Sequence, residues 1–156
     1  MRCVPAILTA LALTALLAGC GGEGGVSSGA TVGVYVDSGL CAGAKQALAE
    51  AGGKAGDLRV RAVCLSPAEA GDRLDLAIAG ANARRATEDS TAVAYLESVG
   101  AKAARFTHPI LDSAGIPWAA ASSGQAAMEQ TLGAIAEADP GSLRDQVGEA
   151  LDASQG

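Results

Sequence analysis

Hydrophobic and polar positions along this chain switch between two periods, and the switches mark its elements. Thr31-Val32-Gly33-Val34-Tyr35-Val36 is a β-branched apolar run that ends at Asp37-Ser38-Gly39, which predicts a buried strand. Over residues 42–51 the period lengthens. Ala44, Leu48 and Ala51 share one helical face, Lys45, Gln46 and Glu50 lie elsewhere, and Gly52-Gly53 stops the helix. Leu58, Val60 and Ala62 then alternate with Arg59 and Arg61, so residues 58–65 read as a strand with one exposed margin at the sheet edge, broken by Ser66-Pro67. Leu74, Ile78, Ala81 and Arg85 return to helical spacing and predict a helix over most of residues 74–86.

The stretch 80–123 organises the rest, reading helix, strand, helix, strand. Apolar runs at 92–96 and 116–121 are short enough for buried strands, and the helical pattern between them ends at Ala114-Gly115. Two such strands joined by a helix form a parallel β-α-β unit. Ligands of these sheets sit at the carboxyl ends of the strands, here near residues 97–101 and 121–124. Met128, Leu132 and Ile135 share the face of a helix over 125–138. Asp139-Pro140-Gly141 turns the chain, and Ser142 is placed to cap a last helix carrying Leu143, Val147 and Leu151. The order β-α-β-α-β-α-β followed by two helices predicts an α/β fold of three layers, a parallel sheet with helices on both faces.

The N-terminus stands outside that scheme. Arg2 precedes an apolar run over 4–17 that is short for a bilayer span and ends in Leu17-Ala18-Gly19-Cys20. A positive start, an apolar middle and small residues before a cysteine predict a bacterial lipoprotein signal peptide over residues 1–19, with Cys20 as the acylated residue. Several acyl chains on one residue anchor a protein stably, as a single chain does not. Gly and Ser dominate the next stretch, so residues 20–30 read as a tether, leaving 31–153 as one domain. The expected location is extracytoplasmic, on the bacterial cell membrane through lipidated Cys20.

Composition narrows the chemistry. Of 156 residues 49% are hydrophobic and only 3% aromatic, so one core must pack closely through small side chains. A net charge of −6 without clustered Lys and Arg excludes nucleic acid as a partner. With Cys3 in the signal and Cys20 lipidated, Cys41 and Cys64 remain as an even pair in an oxidising compartment. Cys41 begins the first helix and Cys64 ends the second strand, neighbouring positions when those strands pair. They form either a disulfide or two buried thiols packed as small hydrophobes.

No catalytic constellation emerges. Gly39-Leu40-Cys41-Ala42-Gly43-Ala44-Lys45 sits at a strand-to-helix junction, but Ala44 and Gln46 flank the lysine where a phosphate loop needs Gly and Ser or Thr. His108 is the sole histidine and has no second ligand or nucleophile at a recognisable spacing, so it reads as solvated or packed. Asp37, Glu97 and Asp112 are carboxylates near strand or helix ends. Glu97 stands where a receiver domain would carry its phospho-accepting aspartate, which argues against that chemistry. Cys41 and Cys64 are too far apart in sequence for a Cys-x-x-Cys redox pair. Arg59, Arg61, Arg84 and Arg85 read as solvated faces, and Trp118 as an apolar anchor. Neither a metal nor a cofactor is called for, and the chain is not read as an enzyme.

Three segments carry a family resemblance: Ala44-Lys45 through Gly56 with Leu58-Arg59-Val60, Ala81-Asn82-Ala83-Arg84-Arg85-Ala86 with Ala94-Tyr95-Leu96, and Pro109-Ile110-Leu111-Asp112-Ser113-Ala114-Gly115-Ile116-Pro117. Together they resemble the first lobe of leucine-binding-protein-like (type I periplasmic) solute-binding proteins of ABC transporters. The third is similar to that family's P-I-L-N-E-A-G-I segment. The tail from Gln125 resembles the helices that return to that lobe. The resemblance implies a periplasmic-binding-protein-like fold reduced to one lobe, with an amino-acid-like ligand at the strand tips and an ABC permease as partner. It departs from the family where ligand is gripped. The loop after the third strand reads Val99-Gly100-Ala101-Lys102-Ala103-Ala104, without hydroxyls, and the loop after the fourth keeps only Ser122 and Ser123. The ligand set that follows is Ser122, Ser123, Ala101 and Lys102, the lysine attracting a carboxylate. The alternative is a lipoprotein domain that keeps the fold and works by protein–protein contact, through self-association or with a protein supplying the missing lobe.

Overall fold

The computed structural model describes residues 26–155; residues 1–19, expected as a signal peptide, and Cys20 lie outside the described residues. The elements run β1 (Thr31–Val36), α1 (Cys41–Glu50), β2 (Lys54–Ala55), β3 (Leu58–Cys64), β4 (Glu69–Ala70), β5 (Arg73–Leu74), α2 (Leu76–Thr87), β6 (Ala92–Ser98), α3 (Ala104–Ser113), β7 (Trp118–Ala121), α4 (Gly124–Glu137) and α5 (Leu143–Ala153). Every long element expected from periodicity is present. The additions are the two-residue strands: β2 after the Gly52-Gly53 turn, and the small β4–β5 hairpin between β3 and α2. None of the described helices is long and apolar enough to cross a membrane.

Five strands form one mostly parallel sheet in the order β2-β3-β1-β6-β7, with β2 alone antiparallel. Only short β2 flanks β3, and Arg59 and Arg61 reach solvent from alternate positions on one face of it. The chain leaves β1 toward β3 through α1, then returns through α2 to β6 on the other side of β1. Strand order therefore reverses between β1 and β6. Their carboxyl ends diverge into separate loops there, and a crevice opens between them.

Helices α1, α4 and α5 cover one face, closing over Val32, Val34, Val36 and Leu96. Helices α2 and α3 cover the other, over Tyr35, Tyr95, Leu111 and Ile116. The α1–α4 contact depends on glycine. A Cβ at Gly124 would lie 1.9 Å from the Leu40 carbonyl oxygen, and one at Gly43 would lie 2.8 Å from the Gln125 nitrogen. Two helix N-termini can meet this closely only without side chains between them.

An extra residue in β6 sets up the site. Gly33 pairs with Ala92 and Val34 with Ala94, so Val93 bulges out of the ladder. Val93 and Ala94 consequently join the same α1/α4/α5 core, and Tyr95 turns to the α2/α3 face. Glu97, two residues further, reaches His108 on α3. Unbroken alternation would send Tyr95 and Glu97 to the opposite face, into an aliphatic core.

Local capping fixes the helix starts. Asp75 accepts hydrogen bonds from the Ala77 and Ile78 N–H groups at 3.0 and 3.1 Å, and Ser123 accepts one from Ala126 at 3.3 Å. Ser142 stands at the start of α5, but its hydroxyl accepts from Gln146 Nε2 at 2.6 Å and caps no backbone N–H. Gln146 Oε1 in turn accepts from the Asp139 N–H at 2.9 Å, so the turn is locked by a side chain from inside the helix. Ahead of β1 the chain is already docked: the Val26 N–H donates to the Pro140 carbonyl at 2.9 Å and its side chain packs on the α1/α4/α5 core. Cys41 and Cys64 are joined, with Cα atoms 5.6 Å apart, tying the start of α1 to the end of β3.

Candidate functional site

The crevice at the β1/β6 reversal is a cavity of roughly 270 Å³. Its floor is β6, which presents Tyr95 and Glu97. The β1–α1 loop contributes Asp37 to Gly39, the end of β6 and its following loop Ser98 to Ala101, and the start of the hairpin Ala68 and Glu69. Asn82 of α2 and Thr107 of α3 close the sides.

Each polar group is held by its neighbours. The Asp37 N–H donates to the Leu96 carbonyl at 2.8 Å, which ties the β1–α1 loop to β6. The Asp37 carboxylate accepts from Ser98 Oγ at 2.5 Å and from Ser38 Oγ at 3.3 Å. Asn82 clamps Ser66, its Nδ2 donating to the carbonyl at 2.8 Å and its Oδ1 accepting from the N–H at 3.3 Å. Glu69 Oε1 accepts from the Ala103 N–H at 2.9 Å, at the start of α3 where a helix end favours a negative charge. Lys102 donates to the Gly71 carbonyl at 3.2 Å and meets Asp72 at 3.3 Å, a second tie between hairpin and α3.

Glu97 is 5% exposed, and its Oε1 lies 2.5 Å from His108 Nε2. Burial pushes its carboxyl above the ordinary range. The His108 contact opposes that rise, and the nearby charges of Asp37 and Glu69 add to it. The His108 ring stacks on Trp118 with centroids 3.4 Å apart and planes 15° from parallel, and Trp118 Nε1 donates to Asp112 Oδ1 at 3.0 Å. Asp112, Trp118, His108 and Glu97 thus form a continuous row that holds the buried carboxylate in place. Tyr95, 4% exposed, has its phenol pushed far above its ordinary range by burial first, then by Glu97 and Asp37. It is a neutral hydroxyl at any physiological pH. No described residue hydrogen-bonds that hydroxyl, and no buried side-chain oxygen is left sealed without a partner, so the Tyr95 oxygen opens to the cavity it lines.

The four residues expected to grip a ligand are not together. Ala101 lines the cavity. Lys102 is turned to the hairpin and Asp72. Ser122 and Ser123 border a separate hollow beside Leu151 and Gln155, and Ser123 is occupied as the α4 cap. The carboxyl-end geography of the sheet is as expected, while the polar groups at the cavity are Asp37, Glu69, Tyr95 and Glu97. His108, expected as solvated or packed, is the partner of Glu97. One signal for the pair was in the sequence: Tyr95 and Glu97 are two apart in an otherwise apolar strand, hence on one face.

Chemically, the cavity offers carboxylates and a hydroxyl. Ser98 Oγ is engaged with Asp37 and His108 Nε2 with Glu97, so the described residues contain no serine–histidine couple at this site. Neither do the described residues contain a His, Cys, Asp and Glu grouping able to hold a metal ion. Protein-family models, curated proteins and solved structures all yield no match to this chain. Fold and site define a doubly wound α/β domain with one polar cavity at its strand-order reversal.

Proposed function

We propose that this chain is a lipid-anchored extracytoplasmic solute-binding module, built like one lobe of a type I periplasmic binding protein and tethered to the membrane through Cys20. The single observation that carries this reading is the cavity of roughly 270 Å³ at the β1/β6 reversal, where open α/β sheets take their ligands. Its walls are supported by inter-element hydrogen bonds from Asp37, Asn82 and Glu69, so the cavity is largely preformed. The resemblance of residues 31–124 to leucine-binding-protein-like solute-binding proteins points the same way. A single lobe buries less of a ligand than two, so affinities in the micromolar range or weaker are expected, with an ABC permease as a receiving partner. Thermal-shift and calorimetric titration against amino acids, amines, sugars and carboxylates tests the reading. A saturable shift with at least one solute class is expected, and a flat response across the panel removes solute binding.

A second reading rests on the apolar surface at the same end of the sheet. Val99 is 66% exposed, Leu76 52% and Phe106 38%, all on segments that follow the carboxyl ends of strands. A second copy, or a protein supplying the absent lobe, would cover them in a domain working by protein–protein contact. Light scattering over a concentration series separates the two, since self-association requires a concentration-dependent mass.

A further inference from the structure

We infer that the solute is a small organic cation, an aliphatic molecule bearing an ammonium group that sits between Asp37, Glu69 and Tyr95. This rests on the solute-binding reading above and specifies its ligand class.

The charge balance of the cavity is one-sided. Asp37, Glu69 and Glu97 line it, and no Lys or Arg does. Lys102, the nearest in sequence, is spent on Gly71 and Asp72. His108 is the only basic group in contact, and it serves Glu97 alone. The Asp37 and Glu69 carboxylates accept hydrogen bonds from Ser98, Ser38 and a backbone N–H and pair with no cation among the described residues. An anionic solute such as a carboxylate would meet Asp37 and Glu69 in a partly desolvated crevice with no cation to offset them, and repulsion disfavours it.

Acidic residues around a crevice are often only a solvated rim, and the second observation separates this case from that one. Tyr95 is 96% removed from solvent, yet its hydroxyl has no protein partner and faces the cavity. The ring is buried while the phenol oxygen opens only to the cavity, so its hydrogen-bond partner must come from there. The position is built for a partner that enters from the cavity. The bulge at Val93 turns Tyr95 to the face of the sheet where the cavity lies, and Asp37 and Glu69 line the same cavity. A phenol oxygen and two carboxylates together accept the three N–H bonds of an ammonium group.

Size and geometry limit the ligand further. At ~30 Å³ for each water-sized unit, the cavity holds a molecule of roughly nine non-hydrogen atoms. A divalent metal fits less well, because no three His, Cys, Asp or Glu side chains among the described residues are grouped to coordinate one. Ala79 and Ala101 supply small apolar wall for a short methylene chain.

Isothermal titration of the full chain with 1,4-diaminobutane, butylamine, 1-butanol, butyrate, leucine and calcium chloride tests the assignment. The two amines are expected to bind and to compete with each other, while the alcohol and butyrate give no heat. Asp37→Asn and Glu69→Gln should each weaken amine binding about tenfold or more, and Tyr95→Phe about fivefold, at unchanged circular dichroism. Asp152→Asn, a surface carboxylate elsewhere, should leave affinity unchanged. Glu69 is only half-buried, so Glu69→Gln carries the test if Asp37→Asn disturbs the β1–α1 loop. Binding of leucine or butyrate without the amines overturns the cation assignment and leaves the solute-binding reading intact. Calcium displacing the amines overturns it in favour of a metal, and amine binding that ignores all three substitutions places the cation elsewhere and overturns it too. Silence across all six probes and the wider panel overturns both readings.

Discussion

The two faces of the sheet bury different kinds of side chain. Under α1, α4 and α5 lie Val32, Val34, Val36, Leu96, Met128, Ile135 and Leu151, with one buried polar group, Thr131, whose hydroxyl returns to the Ala127 carbonyl at 2.7 Å. Under α2 and α3 lie two tyrosines, Asn82, Thr107 and the Glu97–His108 pair, around a cavity. The first face is packed so closely that helix backbones touch through Gly43 and Gly124. The second keeps open volume and buries charge. A close-packed layer can support a neighbouring layer whose polar groups are retained at some cost in stability. Stability concentrates on one face and chemistry on the other.

The largest test of that division is a methyl group. Gly124→Ala puts a Cβ 1.9 Å from the Leu40 carbonyl oxygen, which no rotamer can relieve. A loss of more than about 3 kcal/mol is expected, with a melting temperature lower by roughly 10 °C. Gly39→Ala, on the cavity side, meets only side-chain atoms, Ser98 Oγ at 3.3 Å and Asp37 Oδ2 at 4.0 Å, and should cost less than about 1 kcal/mol. Equal losses at the two positions in urea unfolding would erase the contrast between the faces. The next effect concerns the disulfide that ties α1 to β3. Cys41 and Cys64 are 23 residues apart, and opening a loop of that length costs about 3 kcal/mol. Unfolding with and without reductant measures it. Mass spectrometry of the unreduced, alkylated protein should find neither thiol modified, and two modified thiols would mean that these cysteines merely pack.

The tight face was the legible one. Its residues repeat with clean strand and helix periods, so β1, α1, α4 and α5 follow from apolar spacing, turn glycines and breakers. The cavity face was harder for a physical reason: its geometry depends on one bulged residue. Val93 is apolar like its neighbours and carries no mark of a register shift, yet it decides which way Tyr95 and Glu97 point. The hairpin at Glu69–Ala70 and Arg73–Leu74 was invisible because two-residue strands have no period, and it brings Glu69 to the site. Ser122 and Ser123 drew attention by residue type at a strand end. Their strand is β7, beyond β6, while the reversal lies between β1 and β6. Identifying that reversal needs strand order, which local patterns do not contain.

The smallest expected effect bears on what the cavity face gives up. Burial is the largest influence on Glu97 and raises its carboxyl above the usual 4.5, with the His108 hydrogen bond opposing. A carboxyl raised in the fold holds its proton more tightly there than in the unfolded chain. Its contribution to stability is full below the unfolded value and is lost as pH rises through the folded one. Glu97→Gln keeps the shape and stays neutral at every pH, so it lacks this slope. Urea midpoints of wild type and variant should therefore diverge between pH 4 and neutrality in the direction that favours the variant, by less than either change above. A gap that stays constant, or that moves toward wild type, would mean that His108 holds Glu97 as a stabilising ion pair. The cavity face would then bear stability of its own. A gap that opens as expected identifies Glu97 as a charge kept buried at a cost, which the close-packed layer across the sheet offsets.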